Sequence, residues 1–157
     1  MLRTLIAAGA TLAASFMIPD AAEACPDWQY AGRANLGTLS GSYLYTPRYW
    51  NVVAGGNVDL GRCNAPGVGY VVSDPDFEFS FQNDRGYGRL EISVNGNCDT
   101  VLLVNDANGT WHFNDDANGS LNPVVNVYGA PSGTYDVWVG TYGPNTCNAQ
   151  IELETWN

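Results

Sequence analysis

Short runs of alternating apolar and polar residues, each closed by a turn signal, limit what this chain can become. Phe77-Glu78-Phe79-Ser80-Phe81 places its aromatics on one face and its polar groups on the other. Leu90-Glu91-Ile92-Ser93-Val94 repeats the pattern, as does Ala149 to Thr155. A period of two is the mark of a strand with one buried face. Val101 to Val104 is a continuous apolar run and reads as a fully buried strand. Val124 to Tyr128, Tyr135 to Val139 and Gly67 to Val72 read as further strands. Val52-Val53-Ala54 and Val58-Asp59-Leu60 flank Gly55-Gly56-Asn57, a hairpin or bulge signal. Between the runs lie Ser73-Asp74-Pro75-Asp76, Asn83 to Gly88, Asn95-Gly96-Asn97 and Gly129 to Gly133. No window after residue 24 has convincing helical periodicity. Strands at this spacing predict an all-β chain folded as an antiparallel β-sandwich, with a barrel as the alternative.

The first residues follow another logic. Arg3, an apolar stretch from Leu5 to Ile18, and Ala22-Glu23-Ala24 have the order of a secretory signal peptide with an A-x-A cleavage site. Residues 1–24 are therefore expected to be a signal peptide, and residues 25–157 one domain. The apolar stretch is too short to span a bilayer, and no other stretch is a candidate. Export to the periplasm or outside the cell follows. Cleavage there would leave Cys25 first, which raises lipidation as an alternative. However, Ala22 stands where a lipoprotein signal usually has Leu, and lipidation would strand a cysteine. The four cysteines Cys25, Cys63, Cys98 and Cys147 can pair fully in an oxidising compartment. Three connectivities are possible. Cys98 and Cys147 both sit beside core strands, which favours Cys98–Cys147 and leaves Cys25–Cys63.

Charge narrows the partners. The chain has 6 basic residues, all arginine, against 16 acidic ones, for a formal net charge of −10. A nucleic-acid or anionic-membrane partner needs a basic face, so neither is expected. Acidity suits solubility and attracts cations.

The segment Cys98 to Pro123 is the chemical centre. Asp-Ala-Asn-Gly occurs at 106–109 and again at 116–119, on either side of the aromatic strand Trp111-His112-Phe113. The second turn is crowded with oxygen: Asn114, Asp115, Asp116, Asn118, Ser120 and Asn122. Hard cations favour such donors, and calcium is the expected cofactor. The expected ligands are drawn from Asn114, Asp115, Asp116, Asn118 and Asn122. Asp106 and Asn108 would join only if the two turns fold together. It is not an EF-hand, because the twelfth position is Val125 and strands flank the loop. The metal-free alternative is plain turn chemistry, since Asp and Asn cap their own turns and Gly accepts positive φ. Asp74 and Asp76 form a second acidic turn that reads the same way.

The same segment resembles bacterial pre-peptidase C-terminal domains and collagen-binding domains of secreted collagenases. The resemblance runs through Cys98-Asp-Thr-Val-Leu-Leu-Val, Asn108-Gly109-x-Trp111, Asn114-Asp115-Asp116, Gly119, Asn122-Pro123 and Gly133-x-Tyr135-x-Val137-x-Val139-Gly140. It covers about residues 88–155. It implies a jelly-roll-like β-sandwich that accompanies secreted enzymes without catalysing a reaction, and relatives that bind calcium in acidic loops. Residues 25–75 lie outside it, and no peptidase domain precedes the module in this sequence.

Catalytic signals are weak. His112 is the single histidine, no G-x-S-x-G context exists, and with no lysine there is no Schiff-base chemistry. His112 reads as a packed or turn-bonded side chain. Paired acids for glycoside hydrolysis remain open, though so many acids make chance pairs common. Trp111, Trp138 and Tyr142 are candidate binding residues, with Trp50 and Tyr49 as further stacking surface. Trp138 qualifies only if its face of the strand is outward. Tyr43, Tyr45, Tyr49 and Trp50 read as core by size. The expected function is an exported, non-catalytic binding or accessory module, stabilised by calcium, for an extracellular or envelope polymer or protein. The alternatives are a secreted hydrolase or peptidase-associated enzyme, and a structural envelope protein assembling through strand edges. Its oligomeric state is open.

Overall fold

The computed structural model describes residues 24–157. The signal-peptide expectation lies outside the described residues except for Ala24. Among the described residues eleven strands, one α-helical turn and one 3-10 turn (Leu60–Arg62, between β3 and β4) follow in order: β1 (Ala34–Ser40), α1 (Gly41–Leu44), β2 (Arg48–Ala54), β3 (Val58–Asp59), β4 (Tyr70–Val71), β5 (Phe77–Gln82), β6 (Arg89–Gly96), β7 (Thr100–Asn105), β8 (Trp111–Asn114), β9 (Val124–Tyr128), β10 (Gly133–Thr141) and β11 (Cys147–Trp156). They form a β-sandwich. The 4-stranded sheet runs β2-β11-β6-β9. The 7-stranded sheet runs β1-β5-β10-β4-β3, with β7 joined to β10 and β8 joined to β7.

Alternation explains the main core. Phe77, Phe79 and Phe81 of β5 face Leu90, Ile92 and Val94 of β6 and Ile151 and Leu153 of β11, in one buried cluster between the sheets. The intervening polar residues point to solvent, as the sequence pattern requires. β7 and β10 depart from it, being buried on both faces. Tyr135, Val137 and Val139 enter the main core. Trp138, Val101 and Leu103 point the other way, into a second apolar layer with Val58, Leu60 and Val71. Half-buried Trp111 and Phe113 of β8 close that layer. The segment from Val58 to Val72 therefore acts as a lid over the outer face of the larger sheet.

The disulfides match the expected pairing. Cys98–Cys147 joins the connection between β6 and β7 to the start of β11 at 2.10 Å, and Cys25–Cys63 ties the N-terminal segment to the lid at 2.01 Å.

Several expectations are corrected. β2 and β3 do not form a hairpin: β2 pairs with β11 and β3 with β4, in different sheets. Gly56 between them is needed for close approach, because a Cβ there would lie 2.1 Å from the Val71 carbonyl oxygen. The sheets are not wholly antiparallel, since β1 runs parallel to β5. The turn-rich stretch before Leu44 contains a strand and a helical turn, α1, whose start is capped by the Ser40 hydroxyl accepting from the Tyr43 amide at 3.1 Å. Tyr43, Tyr45 and Tyr49 are exposed rather than core. Tyr43 lies beneath the Arg48 guanidinium, 4.0 Å from its ring centre. Trp50 alone of that cluster packs against the core, because its side of β2 faces inward.

Candidate binding cleft

Asn105, at the end of β7, lies directly opposite Asp136 of β10. Residues so paired project to the same face, here the outer one shared with Trp138 and Leu103. Along this face the lid covers the two tryptophans and stops short of Asn105 and Asp136. A cleft of about 760 Å³ opens there, lined by Trp28, Gln29, Asn105, Asp106, Asn108, Thr134 and Asp136 among others. Asn105 and Asp136 are each only 3% exposed. Asn105 Nδ2 and Asp136 Oδ1 have no hydrogen-bond partner. A buried donor and a buried acceptor left unmatched side by side are uncommon, because each costs its desolvation.

The surroundings are fixed by local chemistry. Asp106 is buried and builds the turn after β7. Its Oδ1 accepts from the Asn108 amide at 2.9 Å and the Thr110 amide at 3.0 Å. Its Oδ2 meets His112 Nε2 at 2.8 Å. Burial alone would raise the Asp106 carboxyl, but the hydrogen bonds from His112, Thr110 and Asn108 outweigh it and hold the group below its ordinary value. The turn rests on β10 through Ala107, whose Cβ would lie 2.7 Å from a Cβ at Gly133. Trp28, 50% exposed, is set at the rim by three ties. Cys25 is bonded to Cys63 of the lid, the Asp27 amide donates to the Ser73 carbonyl at 3.2 Å, and the Gln29 amide donates to Asp27 Oδ1 at 2.9 Å. Trp28 also lines a second hollow of about 330 Å³ that includes Cys63, Arg62 and Trp111.

The cleft is acidic. Burial, then repulsion from Glu78, pushes the Asp136 carboxyl up to about 7. Neither lysine nor arginine is among the residues lining it.

The expected site residues are only partly brought together. Trp138 is 0% exposed and belongs to the second core, so it is not a binding surface. Its indole lies 5.3 Å from that of half-buried Trp111. Tyr142 is 55% exposed but follows the far end of β10. At about 3.3 Å per residue it lies roughly 20 Å along the strand from Asp136. The two Asp-Ala-Asn-Gly turns stand at opposite ends of β8, so Asp106 and Asn108 do not join the 114–122 turn. In that second turn Asn122 Oδ1 already accepts from the Gly96 amide at 2.8 Å and the Thr100 hydroxyl at 3.0 Å. Both its lone pairs are used, which removes it as a ready ligand. Asn114 Oδ1 accepts from the Val124 amide at 3.1 Å and Asp115 Oδ1 from the Asp116 amide at 3.0 Å. Asn118 takes φ 56° at the turn tip and is exposed. Among the described residues no three His, Cys, Asp or Glu side chains converge as a metal cage. One acidic neighbour had no signal in the sequence: burial raises the Asp99 carboxyl, and so does repulsion from Asp116 and Asp115. The other acidic turn is structural. Asp76 is buried and accepts from the Val139 amide at 2.8 Å, and Asp74 accepts from the Ser73 hydroxyl at 3.1 Å.

His112 closes a turn with Asp106. Among the described residues its ring has no hydroxyl or thiol as a hydrogen-bond partner, and the pair arms no nucleophile.

No family model matches the sequence, and no curated protein does. Comparison with solved structures finds the chain similar to the pre-peptidase C-terminal domain of a collagenase from Bacillus anthracis. The two are 16% identical, the match covers 80% of this chain and 96% of that one, and the TM-score is 0.42. That domain is of the family that residues 88–155 resemble.

Proposed function

We propose that this protein is an exported, non-catalytic binding module that holds an extracellular polymer in the cleft between Trp28 and Asp136. The carrying observation is the cleft itself, with half-exposed Trp28 at its rim and the buried polar side chains of Asn105 and Asp136 in its wall. An exposed indole at the rim adds a large apolar contact at little entropic cost. The two disulfides fit an oxidising compartment. The test is retention on insoluble gelatin, chitin, cellulose and peptidoglycan. Wild type is expected to be retained on at least one of them, and Trp28→Ala to be released with its melting temperature unchanged. Retention on none, or equal retention of the variant, would remove the cleft from the account.

Calcium remains part of the proposal as a stabilising ion at the 114–122 turn. Its support is at Asp99, whose carboxyl is raised by burial and then by repulsion from Asp116 and Asp115, a repulsion that a divalent cation would relieve. Asp115 and Asp116 would hold it, with Asp99 facing them; a calcium shell takes about 6–8 oxygens, so backbone carbonyls would complete it. An ion bound only by the folded state raises the melting temperature. Millimolar calcium is expected to raise it relative to EDTA in the wild type and not in Asp115→Asn/Asp116→Asn. Identical melting in calcium and EDTA would remove the ion.

A further inference from the structure

Asp136 Oδ1 and Asn105 Nδ2 are turned into the protein, beyond the reach of a ligand. What the two side chains leave open to the cleft is Asp136 Oδ2 and Asn105 Oδ1. Both are acceptors, and among the described residues neither receives a hydrogen bond. The two residues stand on directly opposed positions of β10 and β7, so their oxygens share one small patch of the wall. Glu78 of β5, opposed to Asp136 on its other side, extends the row of negative charge. Its own oxygens are taken by the Gly32 amide at 3.2 Å and the Asn35 side-chain amide at 2.9 Å. Asp106 adds charge from the turn after β7, with both its oxygens engaged. The wall therefore lacks donors and positive charge, and no lysine or arginine lining it supplies them.

Ligand classes differ in how well they meet that need. A carboxylate, sulfate or phosphate brings acceptors to acceptors and negative charge to negative charge. A neutral hydroxyl donates one hydrogen bond and offsets no charge. A calcium ion takes about 6–8 oxygens, and one free carboxylate oxygen with one amide oxygen falls short of that. An ammonium or guanidinium group brings only donors and a full positive charge. The rim decides between these two. Trp28 presents a half-exposed indole. A guanidinium plane stacks on such a ring, is more weakly hydrated than an ammonium, and reaches two acceptors at once through its fork of donors. Burial and Glu78 push the Asp136 carboxyl up to about 7, and a cation against Oδ2 offsets both causes. The aliphatic stem of an arginine carries its charge from the rim to the wall. Trp28 also lines the neighbouring hollow with Asp27 and Trp111, so a main chain crossing the rim has contacts on both sides of the indole.

We infer that the cleft takes an arginine side chain of an extracellular polypeptide, its guanidinium donating to Asp136 Oδ2 and Asn105 Oδ1 and lying against the Trp28 indole. This rests on the cleft being the binding site, and it makes the polymer a protein with exposed basic residues.

The test is NMR titration of the 15N-labelled protein with capped Gly-Arg-Gly, Gly-Lys-Gly and Gly-citrulline-Gly peptides, with cellopentaose and with calcium chloride. Citrulline keeps the shape of arginine and most of its donors but lacks the charge. The arginine peptide is expected to move the Trp28 indole N–H and the Asn105 and Gly109 signals to saturation, and the lysine peptide to bind more weakly. The citrulline peptide is expected to bind about tenfold more weakly or worse, as is the arginine peptide to Asp136→Asn, the scale of a charge-assisted hydrogen bond. Trp28→Ala is expected to weaken the arginine peptide about threefold, the scale of an exposed cation–π contact. Asparagine at 136 fills the same volume and Trp28 is half exposed, so both variants keep the fold, and an otherwise unchanged spectrum checks this. Lysine-peptide binding as tight as that of arginine would overturn the choice of guanidinium. Equal binding of the citrulline peptide, or saturation of the same signals by cellopentaose or calcium alone, would overturn the cationic assignment and leave the cleft standing. Arginine-peptide binding that both variants retain in full would overturn the inference. No movement of these signals with any probe would overturn the inference and the cleft together.

Discussion

Replacing Trp138 by alanine lowers the free energy of unfolding by about 3–5 kcal/mol, the usual cost of emptying a buried Trp site. The position is the hinge of the second apolar layer. Its ring contacts the cluster formed by Val58, Leu60, Val71, Val101 and Leu103, and lies against Trp111. Its indole nitrogen donates to the Ser73 carbonyl at 3.2 Å, and that carbonyl also receives the Asp27 amide. Alanine would open a cavity that the sheet backbone cannot close and would loosen the anchor of the segment bearing Trp28. Against a total stability of about 5–15 kcal/mol for a domain, the loss is large. Guanidinium chloride unfolding followed by circular dichroism measures it. Trp138→Phe refills much of the volume and is expected to cost less than half as much. Trp111→Ala, at a half-buried position, is also expected to cost less. A loss below about 1 kcal/mol for Trp138→Ala would mean that the lid does not pack on the sheet.

Trp138 also marks where the sequence could be read and where it could not. Strands β5, β6 and β11 were legible because each has one wet face, so polarity alternates. β10 has none. Tyr135 goes to one core and Trp138 to the other, three positions apart, and no count of alternation tells which face is outside when neither is. β1 was hidden for the opposite reason. It is an edge strand with only one of its seven residues buried, and its register shifts between Asn35 and Thr38. The disulfides were legible because two cysteines lie beside core strands and parity fixed the rest.

The cleft was illegible as a unit. Trp28, Asn105 and Asp136 come from three distant parts of the chain, and only sheet topology places them together. Yet one of them left a trace. In Tyr135-Asp136-Val137-Trp138-Val139 the carboxylate shares a face with a tryptophan, in a strand otherwise without charge. A charge on an apolar face is a buried polar group in waiting, and a perturbed carboxyl in a cleft is a candidate functional group. The crowded 114–122 turn is the stronger signal in the sequence. Much of its oxygen serves its own backbone, which is the ordinary work of Asp and Asn in turns.

The protein should melt at a higher temperature at pH 5 than at pH 8. Two buried carboxyls decide the sign. Burial pushes Asp76 up to about 7 despite the Val139 amide and Arg33, and burial followed by Glu78 does the same to Asp136. In the unfolded chain both titrate near 4. Between about pH 4 and pH 7 the folded state therefore keeps protons that the unfolded state has lost, and stability falls as pH rises through that interval. Each tenfold gain in proton affinity on folding is worth about 1.4 kcal/mol, so the two together contribute several kcal/mol. Asp106 works in the opposite sense. Its lowered carboxyl contributes stability above its unfolded pKa, and this is lost on further acidification, so the benefit of acid ends near pH 4. Relief of the overall negative charge also favours mild acid, and the Asp76→Asn/Asp136→Asn variant separates the two causes. Asparagine at 76 can still accept from the Val139 amide, so the fold is kept. This variant is expected to gain stability at pH 8 and to lose most of the difference between pH 5 and pH 8. A wild-type melting temperature that rises from pH 5 to pH 8 would show that neither carboxyl is held protonated. An unchanged difference in the variant would assign the effect to general charge.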